Sequence, residues 1–270
     1  MKEKYQLRGN HVVEVPVIGN LVYDDLGKEV IAKFNEKFNG VDRIEYIQKH
    51  KADEPISYSN VPRVLGMNQE LRKLTNGNIT LLSPEQVIRF WDVIHEKGLT
   101  YADTDGISLY PNPGPNEELR QEVLKITGKS SKLPLIVSGL GVERTDNSLG
   151  FKFTGTDYMR VVEAPFLRKD GRVAYDSSKE NLVSSNDGVS VWTPNDQSGL
   201  RRLYHGRNDG LDARNGNLLY SNGYGRVQII SGGAASPNLE TYIAQFKAEE
   251  AKTREKLERL HRAQSVLRGE

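Results

Sequence analysis

The chain has 270 residues, 37 of them basic and 36 acidic, and a net charge of +1. That balance leaves no global field of the kind that marks a non-specific nucleic-acid binder or a polybasic membrane protein, so any charge-driven contact must be local. Cysteine is absent, which removes disulfides, thiolate catalysis and thiolate metal sites together.

The five histidines, His11, His50, His95, His205 and His261, fall in no close metal-ligand spacing, so neither a metal nor another cofactor is expected. The N-terminal stretch lacks a signal-like apolar core, and no segment approaches the roughly 18–20 apolar residues of a membrane span. A cytoplasmic protein without membrane contact is the expectation. Asn78-Ile79-Thr80 matches a glycosylation sequon by chance on that reading. The length allows one elaborate domain or two.

Helical periods dominate up to about residue 130. Val30, Ile31, Phe34 and Phe38 share one face, and Val41, Ile44 and Ile47 continue an i, i+3 pattern. The clearest helix start is "LLSPEQVIRFW": Ser83 as N-cap, Pro84 at the first helical position, Gln86 closing a capping box and Leu82 stapled to Val87. That helix is expected to bury Val87, Phe90 or Trp91, and Ile94. "LTYADTDGISLYP" reads as strand and turn, and "GPNEELRQEVLKITGK" as a helix with acidic residues in its first turn and Gly128 as its stop.

From "LPLIVSGLGVE" to "GRVQIIS" the pattern shortens to strands, with Lys169-Asp170-Gly171 and Asn186-Asp187-Gly188 as hairpin-type turns. After Ser236-Pro237 the chain reads as one long charged helix. Leu239, Phe246, Thr253, Leu260 and Leu267 recur every seven residues, with Ile243 and Leu257 beside them, a seam for packing on the protein itself or for a homo-oligomer.

Three motifs suggest chemistry. Asp103 and Asp105 resemble the paired carboxylates of a polymerase palm, but a palm needs further carboxylates and a longer chain, so a solvated turn is the simpler reading. His205-Gly206 is similar to the nicotinamide-positioning pair of ADP-ribosyltransferases, yet no Glu follows His205 until Glu240. Arg201, Arg202 and Arg207, with Tyr204 and His205 for stacking, could contact nucleic acid, though Asp209 and Asp212 sit among them. A small metal-dependent or ADP-ribosyl-transfer enzyme and a nucleic-acid binder therefore stay as alternatives.

The most unusual stretch runs from Ser198 to Val227. Lys, Glu, Gln, Met and Trp make up 53 of the 270 residues, so a run of 30 should hold about six; this one holds none. Replacing the adenines of an Asn codon at random can yield Asn, Asp, Ser, Gly, Arg, His, Tyr or several apolar residues, but never those five. The cations here are all Arg or His and the anions all Asp.

Those residues, in "VSVWTPNDQSGLRRLYHGRNDGLDARNGNLLYSNGYGRVQII", resemble the variable proteins of diversity-generating retroelements. The "SLGFKF", "SPEQVIRFW" and "PLIVSGLGVE" blocks are similar to members of the same family. The resemblance implies an α+β fold: a C-type-lectin-like domain of short antiparallel strands over 131–235 carrying a variable region at about 200–227. An α/β region over 1–130 precedes it and a long C-terminal helix over 236–270 follows, a departure from family members that end at the variable region. It also implies a non-enzymatic binding protein whose ligand, itself a protein, meets a hypervariable surface.

Within the stretch, Leu200, Leu203, Leu211, Ala213, Leu218, Leu219 and Val227 are apolar anchors, and Gly199 and Gly225 permit turns. The ligand-facing set is the remainder: Tyr204, His205, Arg207, Asn208, Asp209, Asp212, Arg214, Asn215, Asn217, Tyr220, Asn222 and Tyr224. Such a mixture is like an antibody paratope, with tyrosines for broad rigid contact and Asn, Gly and Ser for adaptable hydrogen bonds. An Asn/Gly-rich surface loop without a ligand is the plainer alternative.

Overall fold

Local signals act where expected in the first third of the chain. In the computed structural model, which describes residues 2–7, 11–99, 101–129, 132–206 and 210–231, Asp24 caps helix α1 (Asp25–Phe38) by accepting from the Gly27 N–H at 2.8 Å. Its face of Val30, Ile31, Phe34 and Phe38 is buried. Ser83 and Gln86 form the expected reciprocal capping box at the start of α3 (Pro84–Arg89). The helix then breaks at Phe90, whose φ of −110° and ψ of 25° separate it from α4 (Trp91–Glu96), so Val87 and Ile94 are buried by two short helices instead of one. Ile47 is exposed in irregular chain after a turn at 42–44, so the i, i+3 spacing at Val41, Ile44 and Ile47 does not mark a helix. β1 (Lys2–Leu7) and β2 (His11–Asn20) precede α1, and α2 (Val61–Leu74) and β3 (Ile79–Leu81) lie between α1 and α3.

The remaining elements are β4 (Ala102–Leu109), α5 (Glu117–Thr127), β5 (Leu135–Ser138), β6 (Gly141–Arg144), β7 (Phe151–Thr154), β8 (Arg160–Glu163), β9 (Gly171–Asp176), β10 (Asn181–Ser184), β11 (Val189–Trp192), β12 (Leu200–His205), β13 (Leu211–Asp212) and β14 (Gln228–Ser231). Gly128 ends α5 in the left-handed region, as expected. Eight strands form one sheet in the order β10-β9-β11-β13-β12-β4-β5-β8, antiparallel except for β11 with β13. It curls into a nearly closed barrel: the Arg160 guanidinium, on one edge strand, donates to the Glu180 carbonyl just before the other at 3.3 Å. β1, β2, β14 and β3 make a second sheet, and β6 pairs with β7.

Strand alternation splits the core in two. The inward residues Ile136, Val173, Leu182, Val191, Leu203 and Leu211 pack with Val87, Ile88, Val93 and Ile94. The outward residues Ile107, Leu109, Leu135, Val137 and Leu200 pack under α1 and α2 with Phe34, Phe38, Val64 and Leu71.

This architecture corrects the expected fold class. The described chain is mostly β, built on the barrel-like sheet with five helices of at most 14 residues, and it is not a C-type-lectin-like domain between an α/β region and a long helix. β4, which precedes residue 130, is hydrogen-bonded to β12, which carries the unusual stretch. Its polar run Asp103-Thr104-Asp105-Gly106 suggested a turn because turn-forming residues crowd there, yet every residue of β4 is buried. The two Asp-Gly turns are not hairpins either: β8 pairs with β5, and β10 and β11 each pair with β9 instead of with one another. The expected helix over 236–270, with its oligomer seam, lies outside the described residues. No helix among the described residues is long and apolar enough to cross a membrane.

Candidate functional site

One row of directly opposed residues crosses four neighbouring strands. Asp103 of β4 faces Tyr204 of β12, Tyr204 faces Asp212 of β13, and Asp212 faces Trp192 of β11. A bulge sets the start of the row. β4 carries Thr104, Asp105 and Gly106 where β12 has Leu203 alone, and the Thr104 hydroxyl donates to the Leu203 carbonyl at 2.7 Å across it. Arg202 therefore reaches Asp103 with two hydrogen bonds, Nε to Oδ1 at 2.9 Å and Nη2 to Oδ2 at 2.6 Å, while the Ser59 hydroxyl donates to Oδ2 at 2.8 Å. Burial opposes the Arg202 charge, and Asp103 more than offsets it, so the guanidinium pKa lies above its ordinary value.

Residues 213–227 lie beside this row without helix or strand, apart from two isolated bridges at Arg226, to Ser57 and to Ala102. Their backbone is held from below. Arg201 Nη1 donates to the Arg214 carbonyl at 2.8 Å, Asn116 Nδ2 to that of Gly216 at 2.7 Å and Arg202 Nη1 to that of Tyr220 at 3.0 Å. The Arg202 and Val61 backbone N–H groups take the carbonyls of Asn215 and Leu218 at 3.1 Å each. The anchors Leu200, Leu203, Leu211, Ala213, Leu218 and Val227 are buried as expected, and Leu219 is half-buried. Gly199 has a φ of +75°, which favours glycine, whereas at Gly225 the reason is space: a Cβ there would stand 2.5 Å from the Ser59 hydroxyl.

The expected ligand-facing set divides. Arg214, Asn217, Tyr220 and Tyr224 are exposed, and Tyr204, Asn215 and Asn222 are half-buried. Arg207, Asn208 and Asp209 lie outside the described residues. Three of the five large apolar side chains exposed among the described residues, Trp192, Tyr220 and Tyr224, belong to this surface, which singles it out from the rest of the molecule.

His205 and Asp212 are both buried, His205 on the inner side of the sheet with Leu211, and Asp212 on the outer side beside Arg214. The His205 Nε2 meets Gln228 Oε1 at 2.9 Å, and burial brings its pKa down to about 4. Asp212 accepts from the Arg214 backbone N–H and side chain, at 2.9 Å and 3.1 Å on Oδ1. The asparagines shape the loop as well as lining it: Asn215 Oδ1 accepts from the Asn217 N–H, Asn217 Oδ1 from that of Leu219, and Asn222 Oδ1 from those of Tyr224 and Gly225. The i to i+2 spacing of these Asx turns was the signal in the sequence that could have revealed this role.

The alternative chemistries find less support in the geometry. Asp103 is committed to Arg202 and Ser59, and Asp105 accepts from Asn68 Nδ2 at 2.7 Å. Burial pushes the Asp105 carboxyl up to about 8. Neither is a solvated turn residue, and no cluster of three or more potential metal ligands occurs among the described residues. Arg201 and Arg202, two of the three cations that suggested nucleic acid, are buried against Asp196 and Asp103.

The chain matches no protein-family profile, no curated protein and no solved structure.

Proposed function

We propose that the chain is a non-enzymatic recognition protein whose binding surface is built by residues 213–227 together with Tyr204, and that this stretch is diversified by adenine mutagenesis. The ligand is a protein surface, which the broad faces of Tyr220 and Tyr224 suit.

The observation that carries this reading is how the loop is held. Donors from Arg201, Arg202, Asn116 and Val61 end on loop carbonyls. Every residue type offers a carbonyl, so these bonds survive a change of side chain. A loop fixed in this way gives up little freedom on binding, which favours affinity.

Two experiments test the proposal. Sequencing the DNA around the gene should reveal a reverse transcriptase and a near-copy of the segment for residues 200–227 that differs at adenines. A displayed library randomised at Arg214, Asn217, Tyr220 and Tyr224 should keep its fold and yield specific binders to an unrelated folded protein. A library that unfolds, or that yields no binders from a folded pool, defeats the reading.

A further inference from the structure

A second site lies on the same outer face of the sheet, beyond the end of the residue row. Val191, between Ser190 and Trp192 in β11, points into the core, so its two neighbours point out. Ser190 is opposed by Arg172 of β9, which is exposed, while Val173 beside it is buried inside. Trp192 is opposed by Asp212, and Arg214 follows two residues later. Register alone therefore brings Arg172, Trp192 and Arg214 to one side, and the turn at Lys169 and Asp170 adds a wall.

These residues, together with Asn195, line a cavity of about 640 Å³. That is the size of a small-molecule site. The Arg214 guanidinium lies 5.0 Å from the centre of the Trp192 ring, and its charge is matched by Asp212. Arg172 is steadied by donating to the Asn186 carbonyl at 3.0 Å. With Arg214 matched, Lys169 and Arg172 face the single carboxylate of Asp170, which leaves the lining with one surplus positive charge. The indole is 43% exposed and supplies an aromatic wall.

We propose that this cavity binds a small cyclic anion, a sugar or heterocycle bearing one phosphate or carboxylate, with its ring against Trp192 and its charge toward Lys169 and Arg172. Aromatic faces attract flat or apolar ring surfaces, and Arg and Lys donate charge-assisted hydrogen bonds to such anions. The site adjoins the protein-recognition surface, sharing Arg214 and Trp192 with it, but contains neither Tyr220 nor Tyr224.

Trp91 and Trp192 are the two tryptophans of the chain, so the Trp91→Phe variant leaves Trp192 as sole indole reporter. Its emission should shift saturably with at least one of adenosine monophosphate, glucose 6-phosphate and glucuronate, at about 1 mM or below. Adenosine and glucose should give no saturable shift. A response to the nucleotide alone assigns a heterocycle, and a response to the sugar anions alone assigns a sugar. Lys169→Ala with Arg172→Ala should weaken binding about tenfold or more, while Tyr220→Ser with Tyr224→Ser should leave it unchanged, which separates this site from the recognition loop. Calorimetric titration of the unsubstituted chain gives the same comparison should Trp91→Phe not fold. Absence of binding by all three anions, equal binding of the uncharged compounds, or indifference to loss of Lys169 and Arg172 overturns the proposal.

Discussion

Arg202 and Asp103, 99 residues apart in sequence, form a two-point ion pair across adjacent strands with both side chains almost fully buried. The same guanidinium donates to the Tyr220 carbonyl, so one residue ties the sheet to the loop. Replacing either partner by Ala strands the other charge in the interior, and the expected loss is about 3–5 kcal/mol in urea unfolding. Exchanging both together, Arg202→Met with Asp103→Leu, should recover much of that loss, because two apolar groups leave no charge unpaired.

Stability should follow the anchors and not the display. Tyr224→Ser and Tyr220→Ser are each expected to shift stability by about 0.5 kcal/mol, as exposed positions usually do. Leu203→Ala and Leu218→Ala should each cost about 2–5 kcal/mol, since both side chains are buried. Thermal melts of the four variants, read against the parent chain, give the order directly; the reverse order would show that the faces have been misassigned.

Two buried groups give opposing pH dependences. Burial raises Asp105 from 3.8 to about 8, so the folded chain keeps a proton that the unfolded chain releases. Its contribution is full below pH 3.8 and is lost as the pH rises through about 8. Burial lowers His205 from 6.5 to about 4, so its contribution is full above 6.5 and is lost as the pH falls through about 4. Between about 4 and 6.5 the two slopes oppose each other, and from 6.5 to about 8 Asp105 acts without His205. Urea midpoints should therefore fall between pH 6.5 and 8, and Asp105→Asn should flatten that fall.

Recognition should rest on the tyrosines. Tyr220 and Tyr224 present large faces with few rotatable bonds, and hot spots, where truncation costs at least about 2 kcal/mol, favour Tyr. In the complex with a protein ligand, Ala at either position should raise Kd about thirtyfold. Tyr204, half-buried beside Tyr101 at a ring separation of 5.5 Å, should matter less. Binding that survives loss of both exposed tyrosines would move the interface elsewhere.

How much of this was legible depended on how far each signal reaches. The anchors Leu200, Leu203, Leu211, Ala213, Leu218 and Val227 could be picked out because an apolar residue in a polar run has one favourable place to go. The capping box at Ser83 needs only its own neighbours. Asp103 defeats the same logic: nothing within a few residues shows that its charge is matched by Arg202 from another strand, so a core strand read as a turn. His205 and Asp212 looked like display residues for the same reason, since their partners on β14 and in the loop are made by the fold. Tyr220 and Tyr224 stand exposed in the loop.

The bond from Arg160 to the Glu180 carbonyl gives the curled sheet a seam. Elsewhere the strands are joined by ladders of backbone bonds, which must break several at a time, whereas a side-chain contact such as this one can open and close by itself. Breathing of the barrel should start along this line, and amide hydrogens of β8 and β10 should exchange with solvent before those of β4 and β12. Water admitted there would first meet Leu182, the buried residue of β10, so the seam marks the direction from which the inner core is first wetted.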